Sequence, residues 1–151
     1  MSHDGPTVYI AASMSIADKI SEVEDALRTA GIRYYSPREL IPSSTPKSKM
    51  PEIVLKRCTE HIIRADGMVV LLDYYGKDTS FEIGFARGIG KKVIGYCTDS
   101  RAEASFAEDY MLRNSIVLVA HSLEELTTEV RRLFVRLSRH NERAEIKNRS
   151  R

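Results

Sequence analysis

Three acidic residues, Asp73, Asp78 and Glu82, fall within a span of ten residues. Asp73 ends the apolar run 67–73, which is typical of a buried strand, and the other two lie where the next helix is expected to start. Backbone N–H groups and the helix dipole stabilise negative charge at such a place. The pattern therefore predicts carboxylates that stay ionised and can act as nucleophiles.

Glu82 also has a purely structural interpretation. Thr79 and Glu82 have the spacing of a capping box, in which the glutamate bonds a backbone N–H at the helix start. Spacing alone leaves both roles open. Tyr9, on an apolar run near the N-terminus, favours catalysis, because a central strand, Asp73 and Glu82 would converge on one crevice. For Tyr9 the alternative is packing in the core.

Strand and helix patterns alternate along the chain. Apolar runs predict five strands, over residues 7–12, 32–36, 67–73, 92–97 and 115–120. Helical periodicity predicts helices over about residues 16–30, 51–65, from 79, over 104–112 and after a capping box at 122–125. Segment 37–51 is predicted to be a surface loop. This alternation predicts an α/β fold with a single doubly wound parallel five-stranded sheet in the flavodoxin-like order 2-1-3-4-5.

Length and composition predict one domain with a stable core, from 151 residues of which 42% are hydrophobic. The two cysteines have no paired spacing, and no signal peptide or membrane span is evident, which predicts a cytoplasmic protein with reduced thiols. The net charge of +2 is uneven, since residues 131–151 hold eight Lys or Arg and two Glu. We predict a domain over 1–138 and a basic, flexible tail over 139–151, which is unlike a nucleic-acid arm because it lacks aromatics.

Motifs for several other ligands are absent. Gly84 and Gly90 do not have P-loop spacing, and residues 11–15 lack both the GxGxxG pattern and an acidic pair for magnesium. Cys58 and His61 make half of a zinc pattern without a second pair, which favours a structural role. No metal or cofactor is expected.

The segment Asp78-Thr-Ser-Phe-Glu-Ile-Gly-Phe-Ala-Arg-Gly-Ile-Gly-Lys91 resembles the nucleoside 2-deoxyribosyltransferase family and its relatives that hydrolyse nucleoside 5′-monophosphates. It is similar to the family's Gly-Thr-Ala-Phe-Glu-Leu-Gly-Tyr-Ala followed by Gly-Lys, with Glu82 at the nucleophile's position. Val8-Tyr9-Ile10-Ala11 is similar to the opening strand, whose Tyr contacts the nucleophile, and Ala65-Asp66 also matches. The resemblance covers about residues 7–135.

The resemblance implies cleavage or transfer at the N-glycosidic bond of a nucleoside or nucleoside 5′-monophosphate, through a glycosyl intermediate on Glu82. Tyr9 and Asp73 are the further catalytic candidates, and Asp78 is a candidate for substrate binding. The fate of the intermediate would separate a hydrolase from a transferase.

Other implied substrate-binding positions depart from the family. Cys58 stands where relatives usually carry an Asp linked to substrate binding and proton donation, and a thiol is a weak donor. Ser13 matches the phosphate-binding Ser of the monophosphate hydrolases, whereas Ser15 replaces an Arg, and either could instead cap the first helix. A catalytically altered nucleotide-binding module, or a scaffold whose basic tail binds an acidic partner, remains the alternative.

Relatives assemble as dimers or larger oligomers and complete their active sites with a neighbouring subunit. The corresponding region here is about Ser105–Met111, which is not a close match. The resemblance therefore implies a homo-oligomer, with Met111 as a further substrate-binding candidate.

Overall fold

A five-stranded parallel sheet forms the centre of the protein. The computed structural model describes residues 5–134. Its strands are β1 (Thr7–Ala11), β2 (Arg33–Tyr35), β3 (Gly67–Leu71), β4 (Val93–Tyr96) and β5 (Leu118–Ala120). They lie in the order β2-β1-β3-β4-β5, and every neighbouring pair is parallel. The predicted α/β fold and its strand order are confirmed.

Helices connect and cover the strands. They are α1 (Ala17–Thr29), α2 (Pro37–Leu40), α3 (Met50–Arg64), α4 (Lys77–Gly88), α5 (Ser100–Glu108), α6 (Tyr110–Ser115) and α7 over residues 123–134. The predicted capping box begins α7, since Ser122 Oγ accepts from the Glu125 amide at 3.1 Å. The Glu125 carboxylate accepts in turn from the His121 amide at 2.8 Å.

The predictions for two segments were partly wrong. Segment 37–51 contains α2 and a 3-10 turn at Lys47–Lys49, because Pro37 and Pro46 set the backbone for short helical turns. Ser115 ends α6 and does not begin a strand, since its hydroxyl bonds the Met111 carbonyl at 2.8 Å. Sheet pairing near this point starts at Val117, whose N–H donates to the Val93 carbonyl at 2.8 Å.

Alternating side chains of the strands build two separate cores. On one face Val8, Ile10 and Leu71 pack against α1 and α7. On the other face Tyr9, Ala11 and the β3 residues Met68 and Val70 pack against α3 and α4. The sequence alternation thus directs Tyr9 toward α4, the helix that carries Glu82.

Close packing of β3 against α7 requires a glycine. A Cβ at Gly67 would lie 2.0 Å from the Phe134 ring, so the ring occupies the space that a side chain would need. The predicted domain boundary at residue 138 and the tail 139–151 lie outside the described residues. In the part of the chain that the structure describes, no helix is long and apolar enough to cross a membrane.

Candidate active site

A hydrogen bond between Tyr9 and Glu82 forms the centre of the site. The Tyr9 hydroxyl donates to Glu82 Oε1 at 2.6 Å, although the two residues are 73 positions apart. Tyr9 is fully buried on β1, and Glu82 faces it from the second turn of α4. The structure therefore brings together two of the three predicted catalytic residues.

The capping-box interpretation of Glu82 was wrong. Helix α4 begins at Lys77 with Gly76 as its N-cap, so Thr79 lies inside the first turn and is buried. The Gly76 carbonyl accepts from the Ser80 amide at 3.0 Å. Glu82 is therefore the sixth residue of the helix and not at the N3 position of a capping box, and its carboxylate accepts from Tyr9.

The sequence predicts that the helix dipole keeps Glu82 ionised. The structure contradicts this prediction. Burial raises the pKa of Glu82 to about 7, the charge of Asp78 adds to the rise, and hydrogen bonds from Tyr9 and Cys58 oppose it. The dipole acts mainly within the first turn, which ends before Glu82. The carboxylate is therefore poorly solvated and divided between its two protonation states near neutral pH.

Cys58, on α3, is the third member of this group. Its buried thiol lies beside Tyr9 and Glu82 and interacts with both. Burial is the main cause that raises the pKa of Cys58, and burial together with the Glu82 charge raises the pKa of Tyr9 well above its ordinary value. Both groups thus stay protonated and can donate to the Glu82 carboxylate.

Two cavities meet at this group. Each is bordered by Glu82, Cys58, Asp78 and Val54, and their volumes are about 730 Å³ and 650 Å³. Both volumes are in the range of small-molecule sites. The cavities lie by the loop after β1 and the start of α4, at the carboxyl end of the sheet, where the topology predicts a ligand.

Apolar surface predominates in both cavities, but the polar side chains of their walls differ. Apolar side chains dominate the larger one, which is lined in addition by Met50, Pro51, Leu55 and Phe81, with Lys47 and Thr59 as its further polar residues. The smaller one contains more polar groups, among them Ser13, Lys77 and Thr79. We call them the apolar cavity and the polar cavity.

Ser13 and Ser15 differ in their access to this site. Ser13 lines the polar cavity and also caps the turn Met14–Ile16, where its Oγ accepts from the Ser15 amide at 3.3 Å. Ser15 is exposed and lines neither cavity, but its hydroxyl lies 2.8 Å from that of Ser13. Their roles in substrate binding stay predictions.

Asp73 has different partners from Glu82. Its Oδ1 accepts from the amides of Thr98 at 2.8 Å and Asp99 at 2.7 Å, and from the Thr98 hydroxyl at 3.0 Å. Its Oδ2 forms an ion pair with Lys19 Nζ at 3.2 Å. Burial alone would raise its pKa, but these donors together hold the pKa of Asp73 below its usual value. Asp73 borders neither cavity, so the structure does not bring it to Glu82.

Met111 is also separated from Glu82 within the chain. It is 87% exposed on α6 and lines a different cavity, beside Tyr75 and Ser80. A role in substrate binding would require a neighbouring subunit, and it stays a prediction. Among residues 5–134, no cluster of three or more His, Cys, Asp or Glu could hold a metal ion.

Sequence reasoning missed three residues near the site. Phe81 and Lys77 line the cavities, and the position of Phe81 directly before Glu82 was a signal that could have identified it. Lys19 forms an ion pair with Asp73. The position of Lys19 at the start of α1, the helix that follows β1, was a signal that could have identified it.

Solved structures share this fold. A 2-deoxyribosyltransferase from Bacillus psychrosaccharolyticus is 21% identical with a TM-score of 0.66, and the match covers 80% of this chain and 90% of that one. A conserved protein from Enterococcus faecalis V583 is 23% identical (TM-score 0.64; 85% and 98% covered). A CMP N-glycosidase from Clostridium botulinum is 16% identical (TM-score 0.52; 82% and 96% covered).

A family model gives a more specific result than the fold. A search of curated protein sequences gave no significant match. The model described as nucleoside 2-deoxyribosyltransferase, however, matches residues 5–132, which include β1, α3 and α4 and so every residue of the Tyr9–Glu82–Cys58 group. The chain belongs to the nucleoside 2-deoxyribosyltransferase family.

Proposed function

We propose that this protein cleaves or exchanges the N-glycosidic bond of a nucleoside or nucleoside 5′-monophosphate through a glycosyl intermediate on Glu82. The observation that carries the proposal is the 2.6 Å hydrogen bond from Tyr9 to Glu82 at the junction of two ligand-sized cavities. Family membership supports an enzyme of this kind, with nucleosides as its substrates. The similar structures include a 2-deoxyribosyltransferase and a CMP N-glycosidase.

The proposed reaction has two steps at the anomeric carbon. In the first, an ionised Glu82 oxygen bonds to C1′ while the C1′–N bond breaks and its electron pair leaves with the base. In the second, water or another base bonds to C1′ and releases Glu82. Tyr9 holds one carboxylate oxygen at 2.6 Å, which orients the other oxygen for attack.

The two cavities offer different surroundings to the two halves of a nucleoside. A planar base suits the apolar cavity, where Phe81 and Leu55 expose about half of their surfaces. The sugar and a 5′-phosphate suit the polar cavity, where Ser13 can donate a hydrogen bond and Lys77 supplies a positive charge. We extend the proposal to a homo-oligomer in which the exposed Met111 reaches a neighbour's site.

Base release from a panel of nucleosides and 5′-monophosphates, measured by chromatography, tests this function. We expect release by the wild type and a loss of at least about 1,000-fold in Glu82→Gln, because an amide is a poor nucleophile. Glu124→Gln, at an exposed position on α7, is the matched control and should keep full activity. A sugar adduct on the Glu82 peptide, detected by mass spectrometry, would identify the intermediate. Release that is equal in wild type and Glu82→Gln would overturn the proposal.

A nucleotide-binding module without turnover is the second candidate. It is favoured by one observation, the neutral Cys58 thiol beside Glu82 where a stronger acid would assist base departure. It predicts that a nucleotide raises the melting temperature of both wild type and Glu82→Gln while no base is released. Release by the wild type would exclude it.

A further inference from the structure

Hydrolysis of a glycosyl intermediate on Glu82 requires a group that removes a proton from the attacking water. Water attacks C1′ efficiently only if a general base takes its proton. Tyr9 and Cys58 cannot serve, because burial raises the pKa of each and keeps it protonated. The base must therefore be another group that borders the same cavities.

Asp78 has the position and exposure for this task. It precedes Glu82 by four residues on α4, so the two side chains lie on the same helix face with Cβ atoms about 6 Å apart. Both line both cavities. Asp78 is exposed to solvent whereas Glu82 is largely covered, which gives the pair one hydrated and one poorly hydrated carboxylate. Glycosidases that work through a covalent intermediate likewise use two carboxyl groups, one of which is the nucleophile while the other activates the water of the second step.

We propose that Asp78 is the general base of the second step, an inference that rests on the proposed function. Its carboxylate takes a proton from water as the water oxygen bonds to C1′. The C1′–O bond to Glu82 breaks at the same time, and its electron pair returns to Glu82.

The electrostatics of the pair favour this order of events. The charge of Asp78 adds to the effect of burial in raising the pKa of Glu82, so the two carboxylates repel each other in the free enzyme. Formation of the glycosyl ester removes the charge of Glu82. Asp78 is then left as the carboxylate beside the ester, in contact with the solvent that supplies the water.

A structural role for Asp78 has to be separated from this one. Asp78 lies in the first turn of α4, where an acid stabilises a helix through the dipole. Asp18 occupies the first turn of α1, is exposed and borders neither cavity. Asp18→Asn is therefore a matched control for the effect on the dipole alone.

The inference is tested with the Asp78→Asn variant, by measuring pre-steady-state release of the base from a substrate that the nucleoside and nucleotide panel has identified. We expect a rapid burst of about one base per chain, then turnover at least about 100-fold slower than in the wild type, because only the second step needs the general base. The glycosyl adduct on Glu82 should accumulate. Azide needs no proton removal, so it should restore turnover and yield the glycosyl azide.

Two results would overturn the inference: a first turnover slowed as much as later ones with no effect of azide, or turnover like that of the wild type and Asp18→Asn. Either result would leave the proposed function intact if Glu82→Gln remained inactive. Absence of base release from the wild type would instead refute the proposed function itself.

Discussion

Glu82 and Asp73 are two carboxylates at the same end of one sheet, with opposite surroundings. Asp73 accepts three hydrogen bonds from Thr98 and Asp99 and pairs with Lys19. Glu82 accepts from the Tyr9 hydroxyl, lies beside the Cys58 thiol and borders two cavities. The carboxylate with the more complete set of partners fastens the loop after β4 to β3. The one with fewer remains available to a ligand.

Their protonation follows the same difference. The pKa of Asp73 is below its ordinary value of 3.8, so its contribution to stability is present above that pH and is lost as the pH falls through the folded value. The pKa of Glu82 is raised from 4.5 to about 7, so its contribution is present below 4.5 and is lost as the pH rises through about 7. The proposed nucleophile thus reduces stability at neutral pH, whereas Asp73 increases it.

The pH dependence of activity should give the largest effect that separates the two residues. Attack requires ionised Glu82, so kcat/KM should rise about tenfold per unit below pH 7 and then level off, a change of about 50-fold from pH 5 to pH 7. The groups that face Glu82 are Tyr9 from β1, Cys58 from α3 and Asp78 from α4. A rate that is constant from about pH 5 to 7 would contradict the contrast with Asp73.

Removal of the Asp73 carboxylate should affect folding far more than catalysis. Asp73→Ala leaves the amides of Thr98 and Asp99 without their acceptor and Lys19 without its partner, so the free energy of unfolding should fall by about 2–3 kcal/mol in urea titrations. Asp66→Ala removes an exposed acceptor of one amide, that of Thr7, and should cost less than about 1 kcal/mol.

Activity of the folded Asp73→Ala protein gives the decisive comparison. Below its melting temperature it should retain kcat/KM within about threefold of the wild type, because Asp73 borders neither cavity. A loss of about 1,000-fold with the fold intact would make Asp73 catalytic, as the sequence first led us to expect, and would remove the contrast with Glu82.

In free energy, the effect of Tyr9→Phe should be the smallest of those described, because it removes a single hydrogen bond. It keeps the ring in the core but removes the hydrogen bond to Glu82, so kcat/KM should fall about tenfold and the midpoint of the pH profile should move upward. Tyr96→Phe alters a buried Tyr in the opposite core and should leave both quantities unchanged. A normal profile in Tyr9→Phe would show that Tyr9 is only a packing residue.

Local patterns were sufficient for the elements and their order. The apolar runs that become β1 and β3, and the helical periodicity after each, lead to the observed sheet because crossovers between parallel strands leave few topologies. They were insufficient for boundaries such as the start of α4. There Gly76 in extended backbone caps the helix, although Thr79 has the better capping side chain.

The sequence by itself determined that Glu82 stands in a family-like segment on a helix after the central strand, and that Tyr9 lies on a neighbouring strand. Only the tertiary structure decided that their oxygen atoms meet at 2.6 Å, that Cys58 joins them, and that Asp73 is bound by Lys19 and the loop after β4. The physical reason is distance along the chain. Capping and periodicity act over a few residues. The partner of Glu82, Tyr9, is 73 positions away in the chain, and Thr98, in the loop that Asp73 binds, is 25 positions from Asp73.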